Sequence, residues 1–220
     1  MNSKLEKILS IPKSLYVSYR LCPNVSFWKL PVLVRWNCRV KGRGLIIVNG
    51  GGGRMSIGFG SVGIYDKRFS PSILELYGKI IIDGKAYFGH GARISVGKDA
   101  VFQIGDQFHN LAEARIICMD SIKFDENVHL GWETTIMDTD FHSVINLETG
   151  KLSVCHKPIE IGADVWTGQK STILKGVHIA KGCVVAACSV VTKSVEEENT
   201  LIAGNPAICK KTGITRYYAK

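Results

Sequence analysis

The sequence predicts an all-β chain wound as a parallel β-helix, a triangular prism of stacked coils. The main observation is a repeat. From Ile161 to Val195 the residues fall into six units of six: IGADVW, TGQKST, ILKGVH, IAKGCV, VAACSV and VTKSVE. Two columns of that repeat form the second observation. The first position reads Ile161, Thr167, Ile173, Ile179, Val185 and Val191; the fifth reads Val165, Ser171, Val177, Cys183, Ser189 and Val195. Third, the period of six belongs neither to a helix nor to a half-buried strand. It belongs to a chain that runs straight, turns and runs straight again. Three such runs close one coil, and a coil buries its core only against its neighbours. The first position needs an aliphatic side chain for a narrow interior. The fifth, near a corner, needs a small one. Gly162, Gly168, Ala180 and Ala186 at the second position keep the turns uncrowded.

Residues 1–45 lack the repeat and hold nine Lys or Arg against the single acid Glu6, interleaved with Tyr16, Tyr19, Phe27, Trp28 and Trp36. This basic segment reads as a helical cap or as a contact with an anionic membrane surface. The next stretch, 46–160, carries eleven basic residues against fourteen acids, and 161–220 carries eight against four. An acidic middle without a recognition motif argues against nucleic acid. The prism is expected over 46–205. It opens with an irregular coil at Met55–Gly63 and continues through units starting at Ile82, Phe88, Ile94, Phe124, Leu130 and Ile136. The register slips between Ile94 and Phe124, which predicts bulges at those corners. Residues 141–158 have no hexad register and read as a loop extruded from the prism, and 206–220 as a C-terminal tail. The run Gly50–Gly53 reads as a flexible bend, since no helix start follows it to cradle a phosphate. No apolar run is long enough to span a membrane, and no signal-peptide pattern opens the chain. The seven cysteines are scattered, a reduced-thiol pattern. The expected location is the cytoplasm, with contact at the inner face of the membrane through residues 1–45.

The run IGADVWTGQKSTILKGVHIAKGCVVAACSVVTKSV, followed by AGNPA, resembles the hexapeptide acyltransferases. The likeness is to O-acetyltransferases of the maltose/galactoside and capsular-polysaccharide type, and IGFGSVGIYDKRFS and FGHGARISVG resemble the capsular group. That resemblance implies a left-handed β-helix, a homotrimer with active sites between prisms and acetyl-CoA as co-substrate; no metal is expected, because no residues have metal-ligand spacing. It also implies a sugar acceptor in capsular, O-antigen or exopolysaccharide synthesis.

Acetyl transfer to a hydroxyl needs a base, an oxyanion donor and a grip on coenzyme A, and a histidine suits the base at neutral pH. His142 ends MDTDFH where the extruded loop begins. The resemblance makes it the base and the backbone N–H of Gln169 the oxyanion donor. It also places Ala187, Thr192 and Lys193 along the pantetheine and phosphate path, and Lys211 at the nucleotide phosphates. The family's arginine at that end falls on Ile208, and Thr167 stands where the family has Ile. Asp138 and Asp140 are read either as orienting His142 or binding sugar hydroxyls, or as turn formers. Trp166 lines the acceptor groove or packs against a neighbouring subunit. The family's acceptor-binding Asn has no clear match, although Asn110 and Glu113 lie nearby. Three alternatives stand beside this reading: an antibiotic O-acetyltransferase, a zinc carbonic anhydrase using His90, His129 and His142, and a non-enzymatic scaffold.

Overall fold

The protein is described by a computed structural model covering residues 3–50, 52–66 and 69–217. The first two residues of the basic segment, Gly51, Lys67, Arg68 and the last three residues of the tail lie outside the described residues. Strands of two to six residues stack into three sheets, the faces of a triangular prism. Face A carries Val32–Val34, Arg54–Phe59, Lys85–His90, Phe108–Ala112, His129–Leu130, Trp166–Thr167, Val184–Val185 and Leu201–Gly204. Face B carries Arg39–Lys41, Ile73–Leu76, Arg93–Val96, Arg115–Cys118, Thr135–Met137, Thr172–Leu174 and Val190–Val191. Face C carries Leu45–Val48, Lys79–Ile82, Val101–Ile104, Ser121–Phe124, Ile159–Ile161 and His178–Ile179. The chain visits A, B and C in turn, so every pairing between coils is parallel.

Both columns of the repeat point inward. Ile161, Ile173, Ile179, Val185 and Val191 are buried, as are Ser171, Val177, Cys183 and Ser189. A Cβ at Gly168 would lie 2.5 Å from the Ala187 nitrogen, so the second position stays small because the next coil's backbone is there. The interior holds Phe88, Phe102, Phe108 and Phe124 in edge-to-face and offset contacts with centroids 4.7–6.4 Å apart. On faces B and C the strands from Ile73–Leu76 to Ser121–Phe124 have four residues, against two or three from Thr135–Met137 on.

The prism begins one coil earlier than the repeat suggests. Val32–Val34, Arg39–Lys41 and Leu45–Val48 form a complete first coil that begins within the basic segment, and Met55 lies in the second. Its upper edge on face A would expose unpaired backbone groups. The helix Ser3–Leu21 covers it. Ser10, Ser14 and Ser18 recur every four residues along one helix face and are fully buried. Their hydroxyls accept the N–H groups of Trp36 (3.0 Å), Val34 (3.0 Å) and Val32 (3.2 Å). Those of Ser14 and Ser18 also donate to the carbonyls of Val34 (3.2 Å) and Val32 (3.1 Å). The serines thus replace the missing strand. A buried Arg35–Glu6 ion pair at 2.9 Å ties the helix to the coil, as do bonds from Lys13 to the Trp36 and Cys38 carbonyls and from Arg20 to the Gly42 carbonyl.

At the other end, Leu201–Gly204 turns back through Asn205–Pro206. Ala207–Lys211 then pairs with it antiparallel, so part of the expected tail closes face A.

Candidate active site

The chain leaves the edge between faces B and C after Met137 and returns at Ile159. Between them is a two-legged arm, with backbone bonds from Ser153 to Val144 (2.7 Å) and Asn146 to Lys151 (2.8 Å). Its base is pinned. The Asp138 carboxylate is fully buried and accepts the N–H groups of Met119 (2.7 Å) and Asp120 (2.9 Å). Burial raises its pKa, and those N–H bonds oppose the rise. Asp140 pairs with Lys175 at 2.5 Å, and the same ammonium bonds the Val154 carbonyl on the returning leg. Of the readings of these two aspartates, the turn-forming one fits Asp138, while the Asp140 side chain is 42% exposed beside Lys175. Asp138 has no surface to offer a ligand, and Asp140 clamps the arm. Phe141 takes a left-handed backbone (φ 59°), its N–H bonded to the Thr139 hydroxyl at 2.8 Å, which turns the chain just before the exposed His142.

Gln169 lies on a different edge, between faces A and B. A column of buried hydroxyls holds that corner. Ser171 donates to the Gly168 carbonyl (2.8 Å) and the Ala186 carbonyl (3.1 Å), and Ser189 accepts from the Gly204 N–H (3.2 Å). Thr167 accepts the Gly131 N–H (3.1 Å) and meets Thr134 at 3.0 Å. Threonine at 167 thus loses no burial, and its hydroxyl helps fix the corner. The Gln169 carbonyl accepts the Cys188 N–H at 2.9 Å, which orients the peptide beside Ala187 on the coil below.

The structure thus joins Gln169 to Ala187 on one edge. It sets Thr192 and Lys193, both exposed, on the B/C edge together with the arm. Lys211 lies in the closing strand of face A. Trp166 is on face A, 38% exposed, with the Arg216 guanidinium 5.9 Å from its ring. Above it on the same face rise His129, His109 and Tyr87. The ring of Tyr87 stacks on that of His109 at 4.8 Å, and the rings of His109 and His129 are 5.5 Å apart. Burial, then the charge of Arg216, lowers both imidazole pKa values, that of His129 to about 4, so His129 is neutral at pH 7. Of the three histidines considered for zinc, His90 is buried at the A/B edge, His129 is on face A and His142 is on the arm, an arrangement unlike a shared metal site. Among the described residues no three His, Cys, Asp or Glu side chains gather to hold a metal ion.

Sequence reasoning missed the hydroxyl column, although Ser171 and Ser189 recur at the fifth position of the repeat. It also missed Tyr65, which reaches Glu133 and Trp132 from a distant coil and carries no local signal.

The chain matches the bacterial transferase hexapeptide (six repeats) family over residues 158–193. It is 29% identical over 164 residues to a Saccharomyces cerevisiae protein named as an acetyltransferase, covering 70% of this chain and 79% of that one. WbbJ of Escherichia coli K12, named as a lipopolysaccharide biosynthesis O-acetyl transferase, is 29% identical over 154 residues, 60% of this chain and 78% of that protein. Among solved structures, the polySia-specific acetyltransferase NeuO shares the fold. Its TM-score is 0.59 at 19% identity, over 86% of this chain and 82% of that one. Fold and repeat define the class: residues 158–193 carry the transferase hexapeptide repeat, and the chain is a left-handed β-helix. Within that class it is an acetyltransferase.

Proposed function

We propose that the protein transfers acetyl from acetyl-CoA to a hydroxyl of a surface-glycan sugar, at a site shared by two copies in a homotrimer. The observation that carries this reading is the separation of His142 from Gln169. Face B stands between their two edges, a width of about 10 Å or more for strands of this length. The arm is anchored on the B/C side, so its histidine meets the Gln169 corner of another copy. Face B supplies the contact. Ile117, Met137 and Leu174 lie in register on its outer side, below the polar Ser95. The arm also carries apolar residues that a lone chain leaves in water: Leu147 is 91% exposed and Val144 68%. Packing three B faces around a threefold axis buries the column and lays each arm on a neighbour.

At that site His142 takes the proton of the sugar hydroxyl as its oxygen attacks the thioester carbon. The Gln169 N–H donates to the oxyanion. Collapse breaks the carbon–sulfur bond, and the departing thiolate recovers the proton from His142. Ala187, Thr192, Lys193 and Lys211 hold the coenzyme. The likeness to WbbJ supports a glycan acceptor. Mass spectrometry of lipid-linked and free saccharides incubated with acetyl-CoA tests the reading. A gain of one ester-linked acetyl supports it. Acetylation of amino groups alone contradicts it.

The N-terminal helix presents Leu5, Ile8, Leu9, Tyr16 and Tyr19 outward, with Trp28 beside it. Among the described residues no helix is long and apolar enough to cross a membrane. With Lys7 and Lys29 this surface suits the anionic cytoplasmic leaflet. Co-sedimentation with anionic vesicles should weaken as salt rises. Equal recovery with neutral vesicles would leave the helix only its capping role.

A further inference from the structure

We infer, resting on the acetyl-transfer reading above, that Trp132, Tyr65 and Glu133 form the acceptor wall of the site and bind a neutral pyranose ring.

The Gln169 amide has one neighbouring coil on each side along the A/B edge. Below it, Cys188 donates to its carbonyl, and the coenzyme path begins at Ala187. Above it, the Lys170 N–H bonds the Trp132 carbonyl at 2.8 Å, and a Cβ on Gly131 would lie 2.7 Å from the Gln169 nitrogen. A thioester carbonyl held at Gln169 has its coenzyme below. The attacking hydroxyl therefore arrives from above, where Trp132 is.

Residues 60–66 run along the edge from the second coil to the fifth and deliver Tyr65. Its ring makes an edge contact with Trp132 (6.2 Å, 88°) and another with His90 (5.6 Å, 62°). Its hydroxyl donates to Glu133 at 2.5 Å. Trp132 and Tyr65 are half-buried, so apolar ring surface stands beside a carboxylate. Ring C–H groups pack on the first while hydroxyls donate to the second, which is the chemistry of a sugar ring. Glu113 lies on the same edge one coil higher, paired with Arg93 at 3.2 Å, and Glu133 is 4.0 Å from Lys170. These oxygens accept hydrogen bonds, so hydroxyl donors complement them. Of the two, Glu133 is the one exposed to a ligand, and a carboxylate on the sugar would approach it in place of a hydroxyl donor.

The test uses the full-length protein and follows thiol release from acetyl-CoA. The neutral probes are p-nitrophenyl β-D-galactopyranoside and β-D-glucopyranoside; the acidic probe is the methyl glycoside of N-acetylneuraminic acid. The neutral probes should be preferred. Trp132→Ala should raise the acceptor KM about tenfold, the size of one lost aromatic contact. Tyr65→Phe should raise it severalfold, and Trp132→Phe should restore most of the loss. KM for acetyl-CoA should stay the same throughout. Should Trp132→Ala fail to fold, Tyr65→Phe and Trp132→Phe carry the comparison. An unchanged acceptor KM, a parallel rise in KM for acetyl-CoA, or preference for the acidic probe overturns the proposal. Slow hydrolysis of acetyl-CoA, which needs no sugar, separates the two levels. If hydrolysis depends on His142 but no neutral ring is accepted, the wall is wrong and acetyl transfer stands. If wild-type protein neither hydrolyses nor transfers, the function reading falls and this proposal with it.

Discussion

Replacing His142 by alanine should lower acetyl transfer about 100-fold or more, the usual size of a general-base contribution. The loss should fall on kcat. The coenzyme residues Ala187, Thr192, Lys193 and Lys211 belong to later coils and to the closing strand, so acetyl-CoA binding should be unchanged in calorimetry. Folding should be unaffected too, because His142 is exposed and the arm is held at its base by Asp138, Lys175 and the backbone bonds between its legs. His156 serves as the control. It is in the same arm, bridged to Thr139 near the base, and His156→Ala should lose far less. Near-normal turnover in His142→Ala, with the oligomer intact, would remove the base from the mechanism.

Leu174→Glu should abolish activity for a different reason. Leu174 stands in register with Met137 and Ile117 on the outer side of face B, where three copies would converge. The substitution brings three carboxylates together around one axis without cationic partners, which costs several kcal/mol for each buried charge. Sedimentation should show monomers at micromolar concentration. Both transfer and acetyl-CoA affinity should collapse, since neither half of the site is complete in one copy. Lys123→Glu, on the outer side of face C, should change neither. A Leu174→Glu protein that stays trimeric and active would show that the copies meet elsewhere.

The sequence made the last third of the prism legible because each inward residue there is six from the next and no coil carries an insertion. The first coil was harder to see. Val34, Val40 and Ile46 keep the spacing of six, but Arg35, Arg39, Lys41 and Arg43 surround them and make the segment look like a charged arm. Arg39, Lys41 and Arg43 face outward, Arg35 is buried against Glu6 under the helix, and the inward residues pack on the core. Between Ile94 and Phe124 the strands have four or five residues rather than two or three, so the inward residues no longer fall every six. His142 and Gln169 were legible as types of residue in a pattern, but not their placement on separate edges. That depends on which face each strand joins. Asp138 misled for a related reason. A carboxylate four residues before a candidate base looks like its partner, whereas a buried turn with two free N–H groups needs the same carboxylate. Tyr65, 68 residues from Glu133 in the chain, left no trace in local sequence.

The central claim is that one copy's His142 works on the corner of another, and mixed trimers test it most directly. His142→Ala and Gln169→Pro, which removes the donor N–H, should each be nearly inactive alone. Unfolded together and refolded as mixed trimers, they should regain about a quarter of the wild-type activity. With random assembly, that is the share of interfaces where an intact histidine meets an intact amide from a different chain. Mixed trimers that form and yet remain inactive would place both groups in one chain and contradict the shared site.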